Sequence, residues 1–169
     1  LVLNRLTPEH FSTTLQPVKL INLCHEVLSQ VSDLAQSRQQ SLRLDLRDET
    51  LTIQGNDAAL QIMLRNLLHN AIVYTQVGGD ICLAVTVHNG SVILAVKDNG
   101  PGMSDAARQR IRDLRTGHAD DRSATDRPGL GYMIIHDVLD LLEGDYTIEV
   151  PEAGGTWVHV HLPEKGAGV

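Results

Sequence analysis

Three short segments of this chain carry residues whose types and spacing could do chemistry. The first runs from Asp98 through Asn99, Gly100, Pro101 and Gly102 to Met103, just after the apolar stretch Val92 to Val96. A carboxylate at a strand end beside such a turn can accept a hydrogen bond from a purine amine. Glycine there permits positive φ and lets backbone approach a ligand closely. The plainer reading is an Asx turn closing a strand. Met103 either closes a pocket floor or belongs to the core. The second segment holds Asn66 and Asn70, four residues apart and so one turn apart on one helix face. That face is also apolar, and a buried amide without partners is costly, so the pair either serves a ligand or pins a neighbouring loop. The third, Gly129-Leu130-Gly131, precedes a helical pattern. A helix N-terminus presents free amide donors and the positive end of the dipole, a ready phosphate site, although the same residues fit a simple loop-to-helix turn.

Two common nucleotide sites are excluded. The last glycine pair follows no nearby strand and lacks the third glycine of a dinucleotide fingerprint, and no G-x-x-x-x-G-K-S/T run occurs.

The elements that must position these residues follow from apolar periodicity. Leu1 to Leu15 reads as a helix end and connector, interrupted by Pro8 and Pro17. Leu20, Leu23, Cys24, Val27, Leu28, Val31 and Leu34 recur at helical spacing and predict a helix ending near Ser37. Leu42, Leu44 and Leu46 alternate with polar residues as a strand, and Leu51 to Ile53 is a second strand closing at Gly55. Asn56 or Asp57 caps the helix that bears the asparagine pair. Ile81 to Val87 and Val92 to Val96 form a hairpin around Asn89-Gly90. Ser104 opens a helix to about Leu114, a polar loop runs from Thr116 to Pro128, and a helix from Leu130 to Leu142 stops at Gly144. Tyr146 to Val150 and Thr156 to His161 flank a turn at Gly154-Gly155. This order predicts an α/β two-layer sandwich, a mixed sheet with helices on one face, rather than a doubly wound parallel fold. Residues 1–16 read as the end of an upstream helical domain and linker, 17–163 as one domain, and 164–169 as a disordered tail.

Charge and composition narrow the class. A net charge of −7 opposes a nucleic-acid footprint. The bases are nonetheless uneven: six of 14 lie between Arg108 and Arg127, which fits either a solvated helix and polar loop or a mobile loop beside a polyphosphate. Cys24 and Cys82 sit apart in apolar segments and read as buried free thiols in a reducing compartment. No secretory leader opens the chain, and no apolar run is long enough to span a bilayer. Leu1 is not an initiator methionine, so the chain is expected to be a piece of a longer protein whose parent can be membrane-bound.

Taken together, these segments resemble the N box, the two glycine boxes and the late glycine–threonine turn of the GHKL nucleotide-binding superfamily. Within it they are most similar to the catalytic, ATP-binding domain of bacterial two-component sensor histidine kinases, over about Val18 to Leu162. The resemblance implies ATP and Mg2+ as ligands. It implies that Asn70 ligates magnesium while Asn66 sits beside it, that Tyr74 packs on adenine, and that Asp98 reads the exocyclic amine. It further implies that Gly100 and Gly102 wrap the base, that Gly129, Leu130 and Gly131 hold phosphates beneath a lid from Thr116 to Pro128, and that Thr156 completes the adenine end. The implied partners are a histidine-bearing dimerisation domain upstream in the same protein and a response regulator receiver domain. Dimerisation is expected only in the full-length protein, with this domain cytoplasmic and the parent anchored in the inner membrane.

Departures from the family pattern matter. Val73 stands where a Lys or Arg often precedes the N-box tyrosine, so phosphate charge must be met elsewhere, with Arg122 and Arg127 of the lid as the candidates. No phenylalanine follows Phe11, which leaves Leu114 as the nearest apolar substitute for the usual phenylalanine motif. Asn66 replaces the glutamate that activates water in gyrase-like ATPases, and an amide cannot be a general base. That favours phosphoryl transfer over hydrolysis. The alternatives are a nucleotide-sensing pseudokinase module, a clamp-type ATPase, or a protein-serine kinase of the same superfamily. His25-Glu26 resembles the start of a phosphoacceptor motif, but it lacks the following proline and reads as surface.

Overall fold

The computed structural model describes residues 15–116 and 129–163. Among these residues seven strands and four helices follow in the order β1 (Gln16–Lys19), α1 (Leu20–Ser37), β2 (Ser41–Leu46), β3 (Thr52–Gly55), α2 (Asp57–Tyr74), β4 (Asp80–His88), β5 (Ser91–Asp98), α3 (Asp105–Thr116), α4 (Gly129–Leu142), β6 (Asp145–Glu149) and β7 (Thr156–Leu162). Five strands form one sheet in the order β2-β4-β5-β7-β6. Only β2 and β4 run parallel, so the sheet is mixed as expected.

Alternation along the strands decides which face is buried. Ile81, Leu83 and Val85 of β4, Leu94 and Val96 of β5, and Val158 and Val160 of β7 enter one core with the apolar stripes of α1, α2 and α4. Each such aliphatic side chain contributes roughly 1.5–3 kcal/mol through burial. The opposite face carries a small separate cluster of Cys82, Ala84 and Ala95. Both cysteines are buried free thiols, and burial raises the Cys24 thiol to about 11.

Local signals do what their chemistry predicts. The Asn56 side chain accepts from the Ala59 amide at 3.0 Å, making it the α2 cap, and the Ser104 hydroxyl accepts from the Ala107 amide at 3.1 Å ahead of α3. Asn89 and Gly90 take φ of 50° and 78°, as the tight β4–β5 hairpin demands.

One expectation needs correction, and three details go beyond the sequence reading. Pro17 does not break the chain: it lies within β1, which pairs antiparallel with β3 in a separate two-stranded sheet. A short edge strand tolerates proline because one row of its amides needs no partner. Accordingly β3 leaves the main sheet, and β2 pairs with the distant β4 instead. The buried residue of α3 is Ile111, whereas Leu114 is only partly covered. At the end of α4 the left-handed residue is Glu143, at φ 55°, while Gly144 donates its amide to the Leu139 carbonyl. The expected lid from Thr116 to Pro128, apart from Thr116 itself, the segment 1–14 and the expected tail 164–169 lie outside the described residues.

Candidate functional site

Asp98 ends β5, where the register sets it opposite Ile81 on one side and Thr156 on the other. Its Oδ1 accepts the Gly100 amide at 2.9 Å and the Thr156 amide at 3.1 Å. The Asx turn therefore exists, and it occupies one carboxylate oxygen only. Burial pushes the Asp98 carboxyl above its ordinary value, opposed by the Gly100 and Thr156 amides and by the nearby Thr75 hydroxyl. That hydroxyl is itself buried and falls short of full hydrogen-bond geometry. Gly155 explains how β7 comes so close: at φ 93°, a Cβ there would collide with the Asp98 carbonyl.

Asn66 and Asn70 face the first turn of α4. Asn66 donates Nδ2 to the Ile62 carbonyl at 2.7 Å, which points its Oδ1 outward from the helix. Asn70 Nδ2 is buried with no hydrogen-bond partner. A Cβ added to Gly131 would lie 3.2 Å from Asn70 Nδ2, 3.4 Å from Asn70 Oδ1 and 3.7 Å from Asn66 Oδ1. The helix carrying the last glycine pair thus abuts both amides, with only hydrogen between them. Among the described residues no group of three or more His, Cys, Asp or Glu side chains could hold a metal. A cation here would rest on an amide oxygen and on its ligand's own oxygens, an arrangement that suits magnesium, which keeps several waters and borrows phosphate oxygens.

One cavity of about 340 Å³ reaches both Asp98 and Asn70; Asn66 and Gly131 are not among the residues that line it. Asn70, Asp98, Gly102, Met103 and Thr156 all line it, and Tyr74 stands at its rim, 51 % exposed. Its walls are otherwise mostly apolar, from Leu67, Ala71, Val96 and Val158, with Ser104 and Tyr132 adding hydroxyls, the lining expected of a small-molecule site with few polar anchors. Gly100 packs behind it, where a Cβ would sit 3.0 Å from Asp98 Oδ1 and 3.1 Å from Thr75 Oγ1. Gly129 and Gly131 open α4 as expected, with Leu130 between them; the side chains at 129 and 130, and Arg127, lie outside the described residues.

Several contributors carried no sequence signal of their own. Tyr132 lines the cavity from the residue after Gly131, and burial, aided by Tyr146, Asp98 and Tyr74, raises its phenol. Behind it His136 meets the Tyr146 hydroxyl at 2.9 Å. Burial and the Arg115 charge hold His136 down near 4, with Asp140 opposing. Arg115, in the last turn of α3, reaches Asp140 at 3.2 Å and Asp145 at 2.7 Å and fastens α3 to the α4–β6 corner. Asn99 turns away from the cavity: its Oδ1 accepts the Asp80 amide at 2.8 Å and anchors the start of β4. His25 is exposed, as its surface reading requires.

Residues 55–166 match the family of histidine kinase-, DNA gyrase B- and HSP90-like ATPases. Similar curated proteins include the sensor protein kinase PmrB of Pseudomonas aeruginosa, 32% identical over 97% of this chain and 34% of its own length. The sensor protein BasS of Escherichia coli is 30% identical over 79% of this chain and 36% of its own. The chain thus spans about a third of the length of these relatives. Among solved structures, the catalytic domain of the histidine kinase ThkA superposes with a TM-score of 0.75 at 20% identity, covering 89% of this chain and 95% of that one. Full-length ShkA in complex with AMPPNP gives 0.76 at 24% identity, over 92% of this chain and 32% of that one.

Proposed function

Since the chain belongs to the histidine kinase-, DNA gyrase B- and HSP90-like ATPase family, we propose that it is the ATP-binding catalytic domain of a sensor histidine kinase. It would hold Mg-ATP and donate the γ-phosphoryl group to a histidine on a separate dimerisation domain of the same protein. The observation that carries this reading is one cavity lined by both Asn70 and Asp98, with Gly131 of α4 packed against Asn70 and Asn66.

Each residue then has a task. Asp98 accepts the adenine amine through Oδ2, because Oδ1 is occupied by two backbone amides. Tyr74 covers one face of the base, Met103 closes the floor, and Gly100, Gly102 and Thr156 keep backbone close to its edge. Asn70 would offer Oδ1 to magnesium and Asn66 would sit beside it, while Gly129, Leu130 and Gly131 would present amides to phosphate and Arg127 would add charge. Magnesium, when bound, neutralises the phosphate oxygens. The γ-phosphorus forms a bond to the acceptor imidazole nitrogen as its bond to the bridging oxygen breaks, and ADP leaves. The phosphoryl group then passes to an aspartate of a response regulator. Asn66 argues for transfer over hydrolysis: it is an amide, and its nitrogen is already bonded to the Ile62 carbonyl. We place this domain in the cytoplasm with a parent anchored in the inner membrane; among the described residues no helix is long and apolar enough to cross a membrane.

The test is γ-labelled ATP supplied to the chain alone and with the dimerisation domain of its parent protein. Label should appear on the added domain and never on His25. Tight ATP binding without any transfer would select the nucleotide-sensing module, to which Val73, 43 % exposed and uncharged, lends some weight. Steady phosphate release by the chain alone would select a clamp-type ATPase. Normal Mg-ATP affinity in Asn70→Ala would defeat the site assignment.

A further inference from the structure

The last turn of a helix leaves its carbonyls without intrahelical donors. In α2 those carbonyls are gripped from a distant turn. Arg38 Nε donates to the Ile72 carbonyl at 3.0 Å, and its Nη2 donates to those of Val73 at 3.3 Å and Thr75 at 2.8 Å. Gln40 Nε2 reaches the Ile72, Thr75 and Gln76 carbonyls at 2.9, 3.0 and 3.3 Å. Both residues come from the turn between α1 and β2, which is further zipped to the loop after α2 by Gly78 N to Arg38 O and Ser41 N to Gly79 O, each 3.0 Å. Gln40 is buried, and its Oε1 has no hydrogen-bond partner. The amide is turned so that its donors meet the carbonyls even at that cost. No carboxylate among the described residues pairs with Arg38.

The grip matters because of what Thr75 supports. Thr75 is 1 % exposed, and its Cα and Oγ1 stand 3.4 Å and 3.1 Å from where a Cβ of Gly100 would lie. Gly100 in turn supplies one of the two amides that orient Asp98. A continuous chain of contacts therefore runs from Arg38 and Gln40 through Thr75 and Gly100 to the carboxylate at the base end of the cavity.

We propose that Arg38 and Gln40 are positioning residues for base recognition, holding Thr75 so that the Gly100 turn aims Asp98 at the purine amine. This rests on the reading of Asp98 as the base reader. A cap that merely stabilised α2 would change folding stability and leave base choice alone. The experiment is calorimetric titration of the chain with Mg-ATP and with Mg-ITP, which carries a keto oxygen where adenine carries the amine. Gln40→Leu and Arg38→Lys are compared with the parent chain, each checked for folding by thermal melting. Arg38→Lys keeps the charge but has one donor nitrogen where Arg38 uses two, so it reports even if the larger change unfolds. The expected result is a loss of about tenfold in ATP affinity with ITP affinity little changed, the size of one misplaced hydrogen bond to a charged group. Asn70→Ala should lower both nucleotides alike and leave their ratio intact. Folded variants that retain the parent ATP-to-ITP ratio overturn the proposal. A parent chain that shows no preference for ATP over ITP overturns the base-reading assignment instead.

Discussion

Gly131→Ala separates the fold from the site, because the two should respond in opposite directions. Gly131 lies in the first turn of α4, and no positive φ holds it to glycine. Alanine there favours the helix by roughly 0.5–1 kcal/mol. Against that, the new methyl would sit 3.2 Å from Asn70 Nδ2 and 3.4 Å from Asn70 Oδ1, so the amide must yield by a few tenths of an ångström. The two effects are comparable, which keeps stability within about 1 kcal/mol of the parent, or about 3 °C in Tm for a domain of this size. The ligand loses more. The methyl lies against the two amides on the side proposed for phosphate, and it displaces an oxygen proposed to ligate a cation that tolerates little distortion. A weakening of roughly 10- to 100-fold, or 1.4–2.7 kcal/mol, is expected for Mg-ATP. ATP titrated in EDTA should weaken much less. Calorimetric titration and a thermal melt on the same sample read both effects. An unchanged Mg-ATP affinity at unchanged Tm would show that the amide pair serves α2–α4 packing alone.

Asp98→Asn keeps an oxygen for the Gly100 and Thr156 amides and replaces the other with a donor, so the fold should survive while ATP affinity falls roughly 10- to 150-fold, read by titration. Gly155→Ala forces a side chain into φ 93° and onto the Asp98 carbonyl, and should lower unfolding free energy by roughly 2–4 kcal/mol in urea. His136 is held near 4 against an ordinary 6.5, so the unfolded chain takes up a proton below 6.5 that the folded chain refuses. Its contribution is therefore intact above pH 6.5 and lost as pH falls toward 4. In His136→Phe, urea melts across that range should show a flatter pH dependence, with about 1 kcal/mol lost at pH 7 from the Tyr146 bond.

What could be read from sequence was whatever depends on short range. Helical spacing put Asn66 and Asn70 on one face, and Asn89-Gly90 marked its hairpin, because both depend on neighbours a few residues away. The first strand was missed because Pro17 is a breaker by local rules, and only its edge position in a two-stranded sheet makes it acceptable. Arg38 and Gln40 sit in a polar turn, and their partners lie more than thirty residues on, so no periodicity marks them. Gly155 looked like a turn glycine. Its actual constraint is the approach of the Asp98 carbonyl across the sheet, which exists only once β5 and β7 pair.

The division of labour within single side chains decides how such a site can be dissected. Asp98 gives Oδ1 to two backbone amides, and Asn66 gives Nδ2 to its own helix, so in each the remaining oxygen is the atom left for a ligand. The Asx turn at Oδ1 does not exclude the proposed base reading of Asp98, because Oδ2 carries neither backbone amide. Truncation to alanine removes both atoms together and confounds folding with binding: it strands the Gly100 and Thr156 amides in the same step that deletes the acceptor. Exchanging one oxygen for nitrogen keeps an acceptor for the turn, weakened by the loss of charge, while the outward atom changes from acceptor to donor. The isosteric change thus interrogates the ligand, and the alanine change interrogates the turn that presents it.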